Sequence, residues 1–231
     1  TKQDYIQYLK LETQKRVAQD RPIFLFVFCD PEGTLTSLEK EKSAIKKIFE
    51  GRIQQTNIDL RILENPTKEI FQDFFKNSQN RNRIHLFHFS GFGYESGIGL
   101  EDGEMNKFYF LKLLGFQRNI RLAFFNACYT GLTTSWASQC GVWNTIGVSG
   151  NISDNAATQF AIQFYKYWLK ESGTIGSAFQ DAYNSESDPL PEGVHRGPGR
   201  SIKDALGKLN TYIFKSTAWL SANWHGERFK D

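Results

Sequence analysis

Three short apolar runs constrain the fold more than any other feature: Ile23 to Cys29 (IFLFVFC), Ile84 to Phe89 (IHLFHF) and Ile120 to Asn126 (IRLAFFN). Each is aromatic-rich, too short for a buried helix, and closed by residues that favour turns or strand ends, such as Asp30-Pro31-Glu32-Gly33 after the first. Continuous rather than alternating apolar runs are strands buried on both faces. Between them the period becomes helical. Thr36 and Glu39 form a T-x-x-E capping box, and Leu38, Ile45, Ile48 and Phe49 recur at helical spacing before Gly51. Asn57 to Leu63 (NIDLRIL) alternates like a strand, and Thr67 to Phe75 (TKEIFQDFF) reads as a second helix. A βαβαβ rhythm requires crossovers, so the sheet is mostly parallel with helices on both faces.

The second half keeps the rhythm. Ile98 to Met105 reads as a short hairpin, Lys107 to Leu114 as a helix and Val142 to Val148 as a strand. Ser153 caps a long helix whose apolar face runs through Ala156, Phe160, Ile162, Phe164, Tyr165 and Trp168 and ends before Gly173. A further helix spans Ile175 to Tyr183, then come a Pro- and Gly-rich stretch from Ser185 to Ser201 expected to be a mobile loop, and a strand-like piece at Thr211 to Phe214. The expected fold is an α/β three-layer sandwich with about six mainly parallel strands. It forms one domain over residues 1–231, with residues 1–21 as a helical lead-in.

With 231 residues, 40% of them hydrophobic, the chain can bury a core without metals or disulfides. A net charge of +3 with no clear basic cluster argues against a nucleic-acid surface. Cys29, Cys128 and Cys140 show no C-x-x-C spacing, which argues against a disulfide framework and a zinc site. A reducing, cytoplasmic compartment is expected. No run is long and apolar enough for a bilayer, and the charged start lacks a signal-peptide core. The start at Thr1 is read as that of a domain excised from a longer chain or of a processed product.

In open α/β sheets ligands gather outside the carboxyl ends of the strands. Here those ends deliver Cys29-Asp30, then His88-Phe89-Ser90-Gly91-Phe92-Gly93, then Asn126-Ala127-Cys128-Tyr129-Thr130-Gly131. A cysteine at a strand end, ahead of a helix, is a place for thiolate chemistry, because backbone N–H groups and a helix N-terminus can stabilise the anion. The plainer alternative is a buried, inert cysteine.

The pair HFSGFG and NACYTG resembles the histidine and cysteine motifs of the caspase-like cysteine proteases, H-[FY]-S-G-H-G and [DNS]-[AS]-C-x-[ST]-G. Within that clan the chain is most similar to the CHAT domain. The string Ile146 to Asp154, then Ala156-Ala157, Phe160-Ala161, Phe164-Tyr165, Ala178-Phe179 and Ala182, extends the likeness over about residues 22–185. The resemblance implies a peptide-cleaving domain without metal or cofactor, acting on protein or peptide substrates under the control of an attached sensor or repeat domain or a regulatory protein, in bacterial defence or cell death. It places Cys128 at the nucleophile position and Phe92 where the family carries its catalytic histidine. It also assigns the oxyanion donors to the backbone N–H groups of Gly93 and Cys128. A thiol without an imidazole beside it stays mostly protonated at neutral pH, so acylation is expected to be slow.

No other histidine replaces the lost one. His88 lies roughly 13 Å back along its strand and is expected to be a hydrogen-bonded core residue. His85 has the opposite parity, and His195 and His225 lie in the loop and tail. Asp30 has two readings: by resemblance, a pocket carboxylate for a basic substrate residue; by its surroundings, ordinary turn chemistry. Asp154 is explained by the first turn of its helix. Gly91, Gly93 and Gly97 imitate a dinucleotide fingerprint, but they open onto GIGLEDGE rather than a helix. The 20 Phe, 9 Tyr and 5 Trp fall at core periodicity and are not read as base-stacking residues. The sequence leaves three readings: a protease crippled at Phe92, a pseudoprotease that works as a binding or regulatory scaffold, and a small-molecule enzyme on a flavodoxin-like sheet.

Overall fold

The first apolar run forms β1 (Ile23–Cys29), every residue of which is buried. The computed structural model describes residues 21–53, 57–170, 173–185 and 212–216. Along the chain, β1 is followed by α1 (Leu38–Ile53), β2 (Asp59–Glu64), α2 (Lys68–Lys76), β3 (Ile84–Gly91) and the hairpin β4 (Gly97–Leu100) and β5 (Gly103–Asn106). Then come α3 (Lys107–Gly115), β6 (Leu122–Asn126), α4 (Gly131–Gln139), β7 (Asn144–Val148), α5 (Asp154–Trp168), α6 (Ile175–Ser185) and β8 (Tyr212–Ser216). The main sheet has the order β2-β1-β3-β6-β7-β8. The first five strands are mutually parallel, and β8 closes the edge antiparallel to β7. This mainly parallel sheet with helices on both faces is consistent with a caspase-like α/β sandwich.

Alternation along each strand sorts the core into two aromatic layers. Leu25, Val27, Phe87, Phe89, Ala123 and Phe125 meet α2, α3 and α4 through Phe71, Phe75, Phe110 and Ala137. Phe24, Phe26, Leu86 and Phe124 meet α1, α5 and α6 through Phe49, Phe160, Phe164, Tyr165 and Ala178. Each buried phenylalanine contributes about 1.5–3 kcal/mol of transfer free energy. Edge-to-face pairs such as Phe24 with Phe49, centroids 5.8 Å apart, add geometric preference.

Three strands start two residues later than their apolar patterns: Asp59 against Asn57, Leu122 against Ile120, and Asn144 against Val142. The Ile120 carbonyl accepts the N–H of Trp143, just ahead of β7, and the Arg121 carbonyl accepts that of Asn144, where the pairing of Leu122 with Asn144 begins. The capping box at Thr36 and Glu39 does not form. The Thr36 hydroxyl donates to Asp154 Oδ2 at 3.3 Å, the Ser37 N–H donates to the same oxygen at 2.6 Å, and Glu39 pairs with Lys42. A carboxylate reaching over from α5 is the stronger acceptor and displaces the local one. Asp154 therefore sits in the first turn of its own helix, as its sequence position predicts, and also caps a neighbouring one. The lead-in expected over residues 1–21, the loop expected over 185–201, His195 and His225 lie outside the described residues, apart from Arg21 and Ser185.

Candidate active site

The strand order reverses between β1 and β3, and the crevice at such a switch point lies beyond the carboxyl ends of the strands. The pairings Cys29 with Gly91 and Ser90 with Asn126 bring the ends of β1, β3 and β6 level. Two glycines then let the backbones close in. A Cβ at Gly91 would collide with the Cys29 carbonyl oxygen and lie 3.2 Å from its carbon. A Cβ at Gly93 would collide with the Cys128 carbonyl oxygen and stand 2.9 Å from the Ala127 Cβ. Residue 92 is thus wedged between the ends of β1 and β6, and the G-x-G spacing is required by backbone approach whatever side chain stands between. Phe92 is half-buried against the hairpin: its carbonyl accepts the Gly99 N–H at 2.8 Å.

Cys128 is also half-buried. Its Sγ accepts the Ile152 N–H at 3.4 Å and lies 3.7 Å from the Ile152 carbonyl oxygen, directly ahead of Ser153, the N-cap of α5. Tyr129 comes next with φ of 56°, a left-handed conformation uncommon for a side-chain-bearing residue, fixed by its N–H donating to the Gly150 carbonyl at 3.0 Å. Thr130 ties the turn down: its hydroxyl lies 2.8 Å from the Ala127 carbonyl oxygen and accepts the Val148 N–H at 3.0 Å. Among the described residues, no hydrogen bond engages the backbone N–H of Gly93 or of Cys128.

The other cysteines do not compete for this role. Cys29 is fully buried, and burial, with the charges of Glu101, Asp30 and Asp102 adding, pushes its thiol up to about 12. Cys140 is exposed at the far end of α4. His88 is the core residue expected, fully buried, with Nε2 3.1 Å from Glu41 Oε1 and Nδ1 3.0 Å from the Tyr165 hydroxyl. His85 is pushed down, first by burial and then by the Arg121 charge.

Asp30 turns into its own loop. Its Oδ1 accepts the Thr34 N–H at 3.1 Å and its Oδ2 the Leu35 N–H at 2.7 Å, which is the turn chemistry its sequence context predicts. No group of three or more His, Cys, Asp or Glu side chains suited to a metal occurs among the described residues, and no described helix is long and apolar enough to cross a membrane.

Sequence reasoning missed Glu41. It is 1% exposed, and its carboxylate lies among His88, Ser90, Asn126 and Thr158, beneath the strand ends. The available signal was its place on α1, where Leu38, Ile45 and Phe49 form the buried stripe and a glutamate occupies the intervening turn.

No family model and no curated protein matches this chain. Among solved structures, it is similar to a secreted C11 cysteine protease from Bacteroides thetaiotaomicron, a structure described as a complex with an irreversible peptide inhibitor. The identity is 10% and the TM-score 0.48, with 71% of this chain and 58% of that one covered, so this chain spans less than two thirds of that protein. A likeness at this level transfers no residue and no activity to the present chain.

Proposed function

We propose that this domain is a caspase-like cysteine endopeptidase scaffold of CHAT type, with its cleft at the ends of β3 and β6, and that Phe92 leaves it inactive or severely impaired. The observation that carries this reading is the approach of the Phe92-Gly93 backbone to Cys128. In a working site of this kind the thiolate sulfur attacks the peptide carbonyl carbon, and the displaced electron pair collects on the carbonyl oxygen. Collapse of that adduct expels the amine, which needs a proton, and water then hydrolyses the thioester. The N–H groups of Gly93 and Cys128 are suited to receive the oxyanion, and the Ile152 N–H already faces the sulfur. Phe92 can neither take the thiol proton nor protonate the amine. Asp30 has its place in the turn without a substrate, so the proposed cleft does not draw on it.

Protein or peptide substrates suit this cleft, and a regulatory sensor or repeat domain or protein suits the family resemblance. A scaffolding pseudoprotease would keep the same backbone geometry without the base. The flavodoxin-like alternative shares the strand order β2-β1-β3 and would seat a phosphate at the N-terminus of α1. The Asp154 carboxylate already faces that terminus, which disfavours a second anion there.

The test is to assay the Phe92→His chain against a peptide library, with Cys128→Ala in the same background as control. A positioned acid or base is worth about 100 to 10,000-fold, so cleavage that depends on Cys128 should emerge. A folded Phe92→His chain that stays silent even with its regulatory partner bound favours the pseudoprotease. Cleavage by the unaltered chain that vanishes in Cys128→Ala removes the assignment of Phe92.

A further inference from the structure

Beneath the strand ends lies a buried carboxylate surrounded by hydrogen-bond donors. Glu41 belongs to α1, is 1% exposed, and has His88 Nε2 at 3.1 Å, Ser90 Oγ at 3.1 Å, Thr158 Oγ1 at 3.3 Å and Asn126 Nδ2 at 3.0 Å from both of its oxygens. Burying such a charge is costly unless donors satisfy it. The hydrogens fit one assignment. Asn126 gives one to Glu41 and one to the Ala157 carbonyl at 3.1 Å, Ser90 gives its hydroxyl hydrogen, and His88 donates from Nε2 while its Nδ1 accepts from the Tyr165 hydroxyl at 3.0 Å. The Thr158 hydroxyl shares its hydrogen between Glu41 and the Ser37 carbonyl, each 3.3 Å away.

These donors belong to the elements that surround the thiol. Ser90 lies two residues before Phe92, Asn126 two before Cys128, and the two pair across adjacent strands. Ala157 and Thr158 belong to the first turns of α5, whose N-terminal approach presents Ile152 to the Cys128 sulfur.

From this convergence we infer that Glu41 is a positioning residue for Cys128. Its carboxylate locks the ends of β3 and β6 and the start of α5 into the arrangement that sets Gly93 behind Cys128 and Ile152 against its sulfur. The inference rests on Cys128 being the reactive group of the proposed site. An uncharged carboxyl or an amide at position 41 would turn its own hydrogens toward donors and release part of the lock.

Iodoacetamide alkylation of the intact chain tests this, with Cys128 and Cys140 quantified separately by peptide mass spectrometry. Cys140, exposed at the other end of α4, is the internal standard. Glu41→Gln should raise the Cys128 to Cys140 rate ratio about tenfold, as expected when charge-assisted hydrogen bonds that restrain a local unit are lost. The amide resonances of Gly93 and Ile152 should shift with it. Phe71→Leu, in the opposite core layer, supplies the control for a general loss of stability and should leave ratio and resonances unchanged. If Glu41→Gln does not fold, Ser90→Ala keeps the charge, removes one donor and should move the ratio the same way by about threefold. An unchanged ratio in the folded variant, or an equal rise in Phe71→Leu, overturns the inference. Alkylation requires no peptide cleavage, so the two readings fail separately. A raised ratio with a silent Phe92→His chain sustains the positioning role and removes the protease, whereas cleavage with an unchanged ratio does the reverse.

Discussion

Gly93 and Cys128 lie back to back across the gap between β3 and β6, so close that a side chain on Gly93 would run into the Cys128 carbonyl oxygen. The neighbouring atoms there are the Cys128 backbone and the Ala127 Cβ, which cannot move aside as the tip of a long side chain would. Gly93→Ala should therefore cost about 2–3 kcal/mol, the upper part of the range for overpacking a close contact. Gly33 offers the contrast: its φ is +65°, with nothing within 4 Å of a Cβ, so Gly33→Ala should cost only the left-handed backbone penalty of about 1 kcal/mol. Urea unfolding measures both costs. Cys128 alkylation should change in the first variant alone, and equal costs with unchanged alkylation would show that Gly93 serves conformation rather than close approach.

Asp154 joins the starts of α1 and α5 through a single carboxylate oxygen, which accepts from the Ser37 N–H at 2.6 Å and the Thr36 hydroxyl at 3.3 Å. Asp154→Ala should destabilise the domain by about 1 kcal/mol, the usual value of a lost cap. Asp154→Asn, which keeps an acceptor oxygen, should recover much of that. Amide exchange in the first turn of α1 should quicken in the alanine variant. If the faster exchange stays within α5, Asp154 serves its own helix alone.

The apolar runs made the strands legible, because continuous aromatic and branched residues closed by turn residues have few other uses. β1 occupies the bounds that its sequence suggests, and the helix read from Thr67 to Phe75 forms as α2, with Thr67 as its N-cap accepting the Ile70 N–H. The features that stayed hidden depend on partners distant in sequence. The capping box of α1 failed because its acceptor comes from a residue 117 positions away from Ser37. Glu41 sits in the first turn of its helix, where an acidic residue is ordinary, and nothing local announces donors from β3, β6 and α5. The G-x-G pair around Phe92 was visible as a pattern, but its cause, two carbonyl oxygens pressed against the chain, is a three-dimensional fact.

Tyr165 is fully buried, and burial, followed by the Glu41 charge, pushes its phenol well up, so it stays protonated; its hydroxyl lies 3.0 Å from His88 Nδ1 and donates to it when His88 carries its proton on Nε2, toward Glu41. Tyr165→Phe keeps the ring among Phe26, Phe49 and Phe124 but leaves that nitrogen without its donor. The expected loss is about 1–3 kcal/mol, the cost of an unsatisfied buried polar group. Ring nitrogen spectra should still show the His88 proton on Nε2, because the Glu41 contact is intact. A proton moved to Nδ1 would show that Tyr165, not Glu41, sets the tautomer.

The Cys29 thiol is pushed from 9.0 to about 12 in the folded chain, mainly by burial, and the sign of that shift fixes an alkaline limit to stability. Below pH 9 the thiol is protonated in both folded and unfolded chains, and its contribution to stability is fully present. As pH rises through the window up to about 12, the unfolded chain loses the proton first, so stability falls by up to about 1.4 kcal/mol per pH unit. Other groups titrate there too, so the measurement is a comparison of unfolding free energies of the unaltered chain and Cys29→Ala at about pH 8.5 to 10.5. The variant should start lower, having lost packing inside β1, and should fall less steeply. Alkylation should agree, with Cys140 modified readily, Cys128 measurably and Cys29 only after unfolding. Parallel alkaline slopes, or Cys29 labelled in the folded chain at about pH 8, would mean that the end of β1 opens to water and that the crevice behind Phe92 is wider than the Gly91 contact allows.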